Sequence, residues 1–377
     1  MLNFELLKAT LTFRTLEGYG VLAIEVVLAI LIGLGLTLAR LNGAAWILGG
    51  IAGGAIVFSS YRSLTHESIQ PNRNARKAGQ LLIGLTIGLS LQHTNLDILS
   101  SQLLIFLGLP AFLMLSGAAI GFIYSRIETI DSLTGLLATT PGNIGVMASI
   151  AADYTENTPL VSLVQLLRFT TVIFVMPLIA DVTVPQSTNS TIAQTIQKIV
   201  TASWLDLQLS LLVIAISLIA VYFGSRLKIP IAAFLCAIAV GLLFDILPLI
   251  VPTFAQLDFQ FPFFLKLIGQ VLLGVTIGEY WGINPKLGAF TIVRAFIPVV
   301  LMLVSAAFAA FIIHQLTDWN WLVCLLVASP GGSPEMIWIA LTLHQGTDIV
   351  TAAHVIRLLI INLSLPLFLS YHLRSKL

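Results

Sequence analysis

Apolar segments, several of them near twenty residues long, follow one another along the chain at 20–39, 43–60, 78–92, 99–125, 133–152 and 160–181. They resume at 205–224, 230–250, 263–281, 288–314, 319–343 and 349–371. A helix of about 20 residues crosses ~30 Å of hydrocarbon. Lipid admits only helices and closed barrels, because backbone polar groups must find partners within the protein, and these stretches outrun the ~10-residue alternating strands of a barrel. Only 9% of the 377 residues are charged, against about 25% in soluble domains, so too little polar surface exists to cover a water-facing globule. The expected fold class is an all-α polytopic membrane protein.

The stretch between the two sets, 182–203, is rich in Ser, Thr, Gln and Asn and reads as a linker. It divides the chain into an N-terminal segment (1–19), a first membrane repeat (20–181), the linker, a second repeat (204–373) and a short tail (374–377). The halves match in residues as well as hydropathy. Gly79-Gln80 and Gly84-Leu85-Thr86-Ile87-Gly88 recur 190 positions later as Gly269-Gln270 and Gly274-Val275-Thr276-Ile277-Gly278. At an offset of 189, Thr140-Pro141-Gly142-Asn143 returns as Ser329-Pro330-Gly331-Gly332, while Met147, Arg168 and Pro177 return as Met336, Arg357 and Pro366. Internal repeats recur in secondary transporters. The distribution of Lys and Arg tests their orientation. If each Pro-Gly segment dips in and returns, each half has five crossings and the second is inverted. With the N-terminus inside, that model leaves 13 basic residues inside and 3 outside; a parallel model with six crossings per half gives 11 and 5. Discounting Arg294 as a residue within its helix narrows the contrast to 12:3 against 11:4. The margin favours inverted repeats, each of about five transmembrane helices plus one Pro-Gly broken or re-entrant hairpin, with both termini cytoplasmic in a prokaryotic inner membrane.

The segments TTPGNIGVMASIAADY…LVQLLRFTTVIFVMPLIA and SPGGSPEMIWIALTLHQGTD…HVIRLLIINLSLPLF resemble the AbrB-type integral membrane family, whose members carry a duplicated domain. The resemblance spans nearly the whole chain. That family has carried the labels ammonia monooxygenase and regulator of gene expression, and neither names a cargo. The layout is also similar to citrate and glutamate symporters with inverted repeats and two Gly-rich hairpins, an analogy of arrangement that implies a homodimer.

Proline removes a backbone donor and glycine weakens a helix, so Thr139–Gly145 and Ser329–Pro334 should break their segments at membrane depth. Non-helical backbone there requires surrounding protein or a water-filled cavity. Broken ends offer N–H groups suited to a carboxylate and carbonyls suited to Na⁺. Thr139, Thr140, Asn143, Ser329 and Ser333 add side-chain oxygens, and Pro141, Gly142, Pro330, Gly331 and Gly332 shape the breaks. A kink that merely eases helix packing is the simpler reading of one break, and its recurrence in both halves points to a binding site. Arg168 and Arg357 each fall 8 residues after the apparent helix starts, Leu160 and Ile349. That is about 12 Å of rise, near the midplane. A central Arg costs roughly 2.5–3.5 kcal/mol and needs a partner, which is either a bound anion or the carbonyls of the break. Gln165 and His354 stand three residues earlier on the same faces.

Glu335 reads as the only carboxylate plainly inside an apolar segment. It is a candidate proton-coupling group or the salt-bridge partner of Arg357. Gln80 and Gln270 lie on the Gly-rich segments, where packing and cavity lining compete. Cys236 and Cys324 stand alone in apolar stretches and read as packing residues. The six histidines lack HxH or HxxxH spacing, so no metal, cofactor or enzymatic role is expected. Net charge is +1 and no helix-turn-helix or basic region is present, so nucleic acid is not an expected partner. The composite expectation is a secondary carrier for a small anionic metabolite, coupled to H⁺ or Na⁺. The alternatives are a channel or scaffold acting indirectly on gene expression and, last, a membrane monooxygenase.

Overall fold

The computed structural model describes residues 2–39, 45–66, 70–91, 102–142, 144–155, 157–183, 203–244, 259–282 and 289–374. Among them are fourteen helices and no strand. These are α1 (Leu2–Leu38), α2 (Ala45–Thr65), α3 (Arg73–Ser90), α4 (Leu103–Glu128), α5 (Ser132–Thr139), α6 (Ile144–Tyr154), α7 (Thr158–Thr183), α8 (Trp204–Arg226), α9 (Ala232–Leu243), α10 (Phe263–Gly282), α11 (Ala289–Leu316), α12 (Trp321–Ala328), α13 (Ser333–Thr342) and α14 (Thr347–Arg374). Eight of them (α1, α2, α4, α7, α8, α10, α11 and α14) are long and apolar enough to cross a membrane. Leu31, Leu218, Ile219, Val304 and Phe308 on α1, α8 and α11 face outward, an apolar surface that belongs in lipid rather than water. The protein is an all-helical, multi-pass membrane protein.

The other two expected crossings, 78–92 and 230–250, are described in part. The first lies in α3, which carries Arg73, Arg76 and Lys77 at its start, and the second in α9, only 12 residues long, ahead of the undescribed residues 245–258. The N-terminal segment is helical from Leu2, because no Pro or Gly interrupts it before Gly18. Of the expected linker, only 182–183, which extend α7, and Ser203 are described; Ser203 caps α8 in a capping box with Asp206.

Small residues set the inner layer. Gly50 and Gly54 of α2 meet the backbone of α10 at Gly274 and Val275, while Gly84 and Gly88 of α3 meet α9 at Phe234 and Ile238. A methyl group at any of these positions would collide with backbone, so the close crossings require glycine. Each Gly-rich helix therefore packs on a helix from the other half of the chain, and α3 and α10 also pack on one another at Gly79 and Gly269. The Pro-Gly segments are broken as the sequence predicts. The eight-residue α5 ends at Thr139 and the eight-residue α12 at Ala328, each followed by a Pro-Gly step and a second short helix. Their starts are set alike. Asp131 accepts a hydrogen bond from the Thr134 N–H at 3.0 Å and Asn320 from the Leu322 N–H at 3.4 Å, N-caps that lie 189 positions apart.

Candidate functional site

At the first break the chain leaves α5 through Thr140-Pro141-Gly142, and α7 runs beside it. Helix α7 begins at Thr158, two residues before its apparent start, so Arg168 sits ten residues in; α14 begins at Thr347, and Arg357 also sits ten residues in. The buried Arg168 guanidinium donates through Nη1 to the Thr140 carbonyl at 3.2 Å, and through Nη2 to the Gly142 carbonyl at 3.2 Å and to Gln165 Oε1 at 2.7 Å. Gln165 Nε2 donates onward to the carbonyls of Leu137 (2.8 Å) and Thr140 (3.0 Å). Ending a helix with Pro-Gly orphans carbonyls that lipid cannot satisfy; Arg168 and Gln165 satisfy them.

The second break repeats this pattern 189 residues on. Arg357 donates through Nη1 to the Ser329 carbonyl and through Nη2 to the Gly331 carbonyl (3.1 Å), Ser333 Oγ (3.4 Å) and His354 Nδ1 (2.7 Å). His354 Nε2 lies 2.9 Å from the Leu326 carbonyl. Since arginine can only donate, Nδ1 accepts and Nε2 carries the proton. Gln165 and His354 thus do similar work with different groups, each offering an acceptor to an arginine and a donor to a half-helix carbonyl, with Gln165 also reaching the Thr140 carbonyl.

The two breaks face one cavity of about 80 Å³. One water needs about 10–15 Å³ on that measure, so the space holds several waters or a small solute. Pro141, Gly142, Arg168 and Phe169 line one wall; Pro330 to Glu335 and Arg357 line the facing one; Arg76 and Gln80 of α3 and Thr276 and Tyr280 of α10 close it. Formal charge there is three guanidiniums against one carboxylate. Arg168 keeps its Nε–H without a hydrogen-bond partner, and Glu335, 3% exposed, keeps Oε2 without one.

Several predicted site residues fall elsewhere. The Thr139 hydroxyl donates to the Gly117 carbonyl of α4 (2.8 Å) and the Thr140 hydroxyl to the Leu136 carbonyl (2.7 Å). Both hold the break together, and neither lines the cavity. Ser329 Oγ accepts from the Gly331 N–H at 3.3 Å, which also tightens its turn. Gln270 donates to the Lys266 carbonyl at 3.3 Å and stays outside the cavity, whereas Gln80 lines it. Asn143 lies outside the described residues. The anticipated pair between Glu335 and Arg357 does not form, because the arginine is engaged by backbone carbonyls, Ser333 and His354. Arg294 lies within α11 rather than in a loop, and it pairs with Glu128 at 3.6 Å.

Two further features escaped the sequence reading. Arg76 reads there as one of several loop cations, yet α3 starts at Arg73 and turns Arg76 into the cavity beside Gln80, four residues on. The i, i+4 spacing of the two polar groups was the available signal. Glu335 is also not alone. Glu25 on α1 is 0% exposed and Glu279 on α10 is 3% exposed, both within helices that can span the membrane.

The model of the family described as Transition state regulatory protein AbrB matches residues 46–372. The chain belongs to the AbrB family. A protein of Bacillus subtilis (strain 168) named "Uncharacterized protein YhjN" is 28% identical over 318 residues, covering 81% of each chain. One of Escherichia coli (strain K12) named "Putative regulator AbrB" is 27% identical over 342 residues, covering 90% of this chain and 93% of its own. The family match spans both Pro-Gly breaks, both buried arginines and every residue lining the cavity.

Proposed function

We propose that this AbrB-family protein is a secondary carrier for a small anionic metabolite, and that it exposes the cavity alternately to the two sides of the membrane by rearranging inverted repeats around the paired breaks. The observation that carries the reading is the charge balance of the cavity, with Arg76, Arg168 and Arg357 opposing Glu335 alone. Arg168 and Arg357 are buried and Arg76 half-buried; cation excess at membrane depth calls for a counter-anion, and Arg presents the planar fork that carboxylate and phosphate fit. Arg168 and Arg357 spend most of their donors on the breaks, so they supply field and a few remaining N–H groups, while Arg76, held by Tyr280 Oη at 3.2 Å, adds a third positive charge to the wall. Rupture of one set of break carbonyls and closure of the other is the natural two-state element of such a carrier. Transport is coupled to H⁺ or Na⁺. The regulatory name borne by the Escherichia coli relative accords with an indirect effect of a transported metabolite on expression.

Thermal stability of the purified protein against a panel of small carboxylates, amino acids and inorganic phosphate tests this. A ligand at 100 times its Kd stabilises by about 2.7 kcal/mol. One anion class should raise the melting temperature of wild type and fail to raise that of Arg76→Gln, whose unliganded fold should be intact. Equal response of both proteins to every anion, or of neither to any, would overturn the assignment.

A further inference from the structure

The Glu25–Glu279 pair lies behind the cavity, one residue along α10 from Tyr280, which lines it. Helices α1, α2 and α10 meet here. Ala29, one turn from Glu25, rests on Gly49 and Gly53 of α2, and Gly278, next to Glu279, rests on the α2 backbone. Both carboxyl oxygens of Glu25 are buried and accept no hydrogen bond, and the Glu279 carboxyl is its ionisable neighbour. Glu279 Oε2 accepts the Asn72 N–H at 2.8 Å. Among the described side chains, the charged and titratable groups on these helices toward this end are Tyr19 of α1, Tyr61 and Arg62 of α2, Arg76 of α3 and Tyr280 of α10. Tyr19 Oη is 3.4 Å from Asn74 Nδ2, Arg62 donates to the Gly282 carbonyl at 3.0 Å and Arg76 to Tyr280 Oη at 3.2 Å. Arg73 and Lys77 face outward.

We propose, resting on the carrier reading above, that Glu25 and Glu279 together form a proton-binding site, and that its loading reaches the substrate cavity through Asn72 and α3. Two carboxylates side by side away from water do not both hold charge, and an unsatisfied buried oxygen is resolved when one carboxyl becomes a donor to the other. The linkage is short. Asn72 receives Glu279 at its N–H while its side chain caps α3 by accepting from the Asn74 and Ala75 N–H groups at 3.1 and 3.0 Å. One residue beyond Ala75 comes Arg76, in the cavity wall. A proton arriving from water neutralises the pair, loosens the grip on Asn72 and so shifts the start of α3; its departure restores both. A hard metal cation is the poorer occupant, because it needs a cage of oxygen ligands. Glu279 already spends an oxygen on Asn72, and the carbonyls freed at both breaks are taken by arginines.

Infrared difference spectra between acid and alkaline buffer, recorded on full-length protein in lipid, read the protonated carboxyl band without any transported solute. Wild type should show a buried band that Glu25→Gln and Glu279→Gln each remove and Glu335→Gln leaves. Survival of the band in both pair variants would overturn the proposal, as would its displacement by Na⁺ at constant pH. Should the variants fail to fold, carbodiimide labelling of wild type serves instead. It attacks protonated buried carboxyls, so an adduct on Glu25 or Glu279 should fall about tenfold per pH unit above the midpoint; no adduct at either residue contradicts the site. Loss of transport with the band intact would count against the carrier reading and leave the proton site standing.

Discussion

The two breaks place the same bonds on different side chains. Thr140, Gly142, Leu137 and Arg168 correspond one for one to Ser329, Gly331, Leu326 and Arg357, but the bridging residue is glutamine in the first half and histidine in the second. The second break also carries Ser333 and Glu335, where the first has Ile144 and Val146 at the same offset. What the halves share is what membrane burial of broken backbone demands, side-chain donors for the carbonyls of Leu137, Thr140 and Gly142 and of Leu326, Ser329 and Gly331. What differs is the polar chemistry turned toward the cavity, and it is concentrated on one side.

Removing the arginines should have the largest effect and should strike the two halves alike. Arg357→Ala strips the donor from the Ser329 and Gly331 carbonyls, while Ser333 Oγ and His354 Nδ1 keep each other at 3.2 Å; Arg168→Ala strips it from the Gly142 carbonyl and Gln165 Oε1, while the Thr140 carbonyl keeps Gln165 Nε2 at 3.0 Å. Each orphaned buried group costs about 1–3 kcal/mol, so both variants should lose folded yield and melting temperature to a similar extent, and a loss confined to one of them would break the equivalence of the two breaks. The bridges come next. His354→Ala should cost about 1–3 kcal/mol, while His354→Gln, which keeps one acceptor and one donor, should stay within about 1 kcal/mol of wild type; equal losses in a melting assay would break the equivalence of the two bridges. Ser333→Ala should cost about 1 kcal/mol with no counterpart in the first half. The caps are the smallest test. Asp131→Ala and Asn320→Ala should each cost about 1 kcal/mol, with Asp131 the larger because its bond is shorter, 3.0 against 3.4 Å.

Much of this arrangement is legible in the sequence, for physical reasons. The 189-residue offset, the Pro-Gly steps and Arg168 and Arg357 stand out because lipid tolerates broken backbone and buried charge so rarely. Spacing along one chain does not say which partner a buried arginine takes. Anion and break carbonyls are both acceptors, and the choice appears only once α7 lies beside Thr140 and α14 beside Ser329. Arg76 hides among loop cations because helix boundaries decide whether it faces water or the cavity. Glu25 and Glu279 hide for another reason. Each is the one acid in its apolar segment, 20–39 or 263–281, and 254 positions of sequence separate two side chains that packing brings together.

The most direct test of the account is uptake of a labelled small anion, of the class that stabilises the protein, into liposomes containing it. A carrier should give uptake that saturates, accelerates when the same unlabelled anion is loaded inside, and is lost in Arg76→Gln. Flux that rises linearly with concentration and ignores the trans anion would mark a channel, and no flux from folded, ligand-responsive protein would contradict carriage altogether.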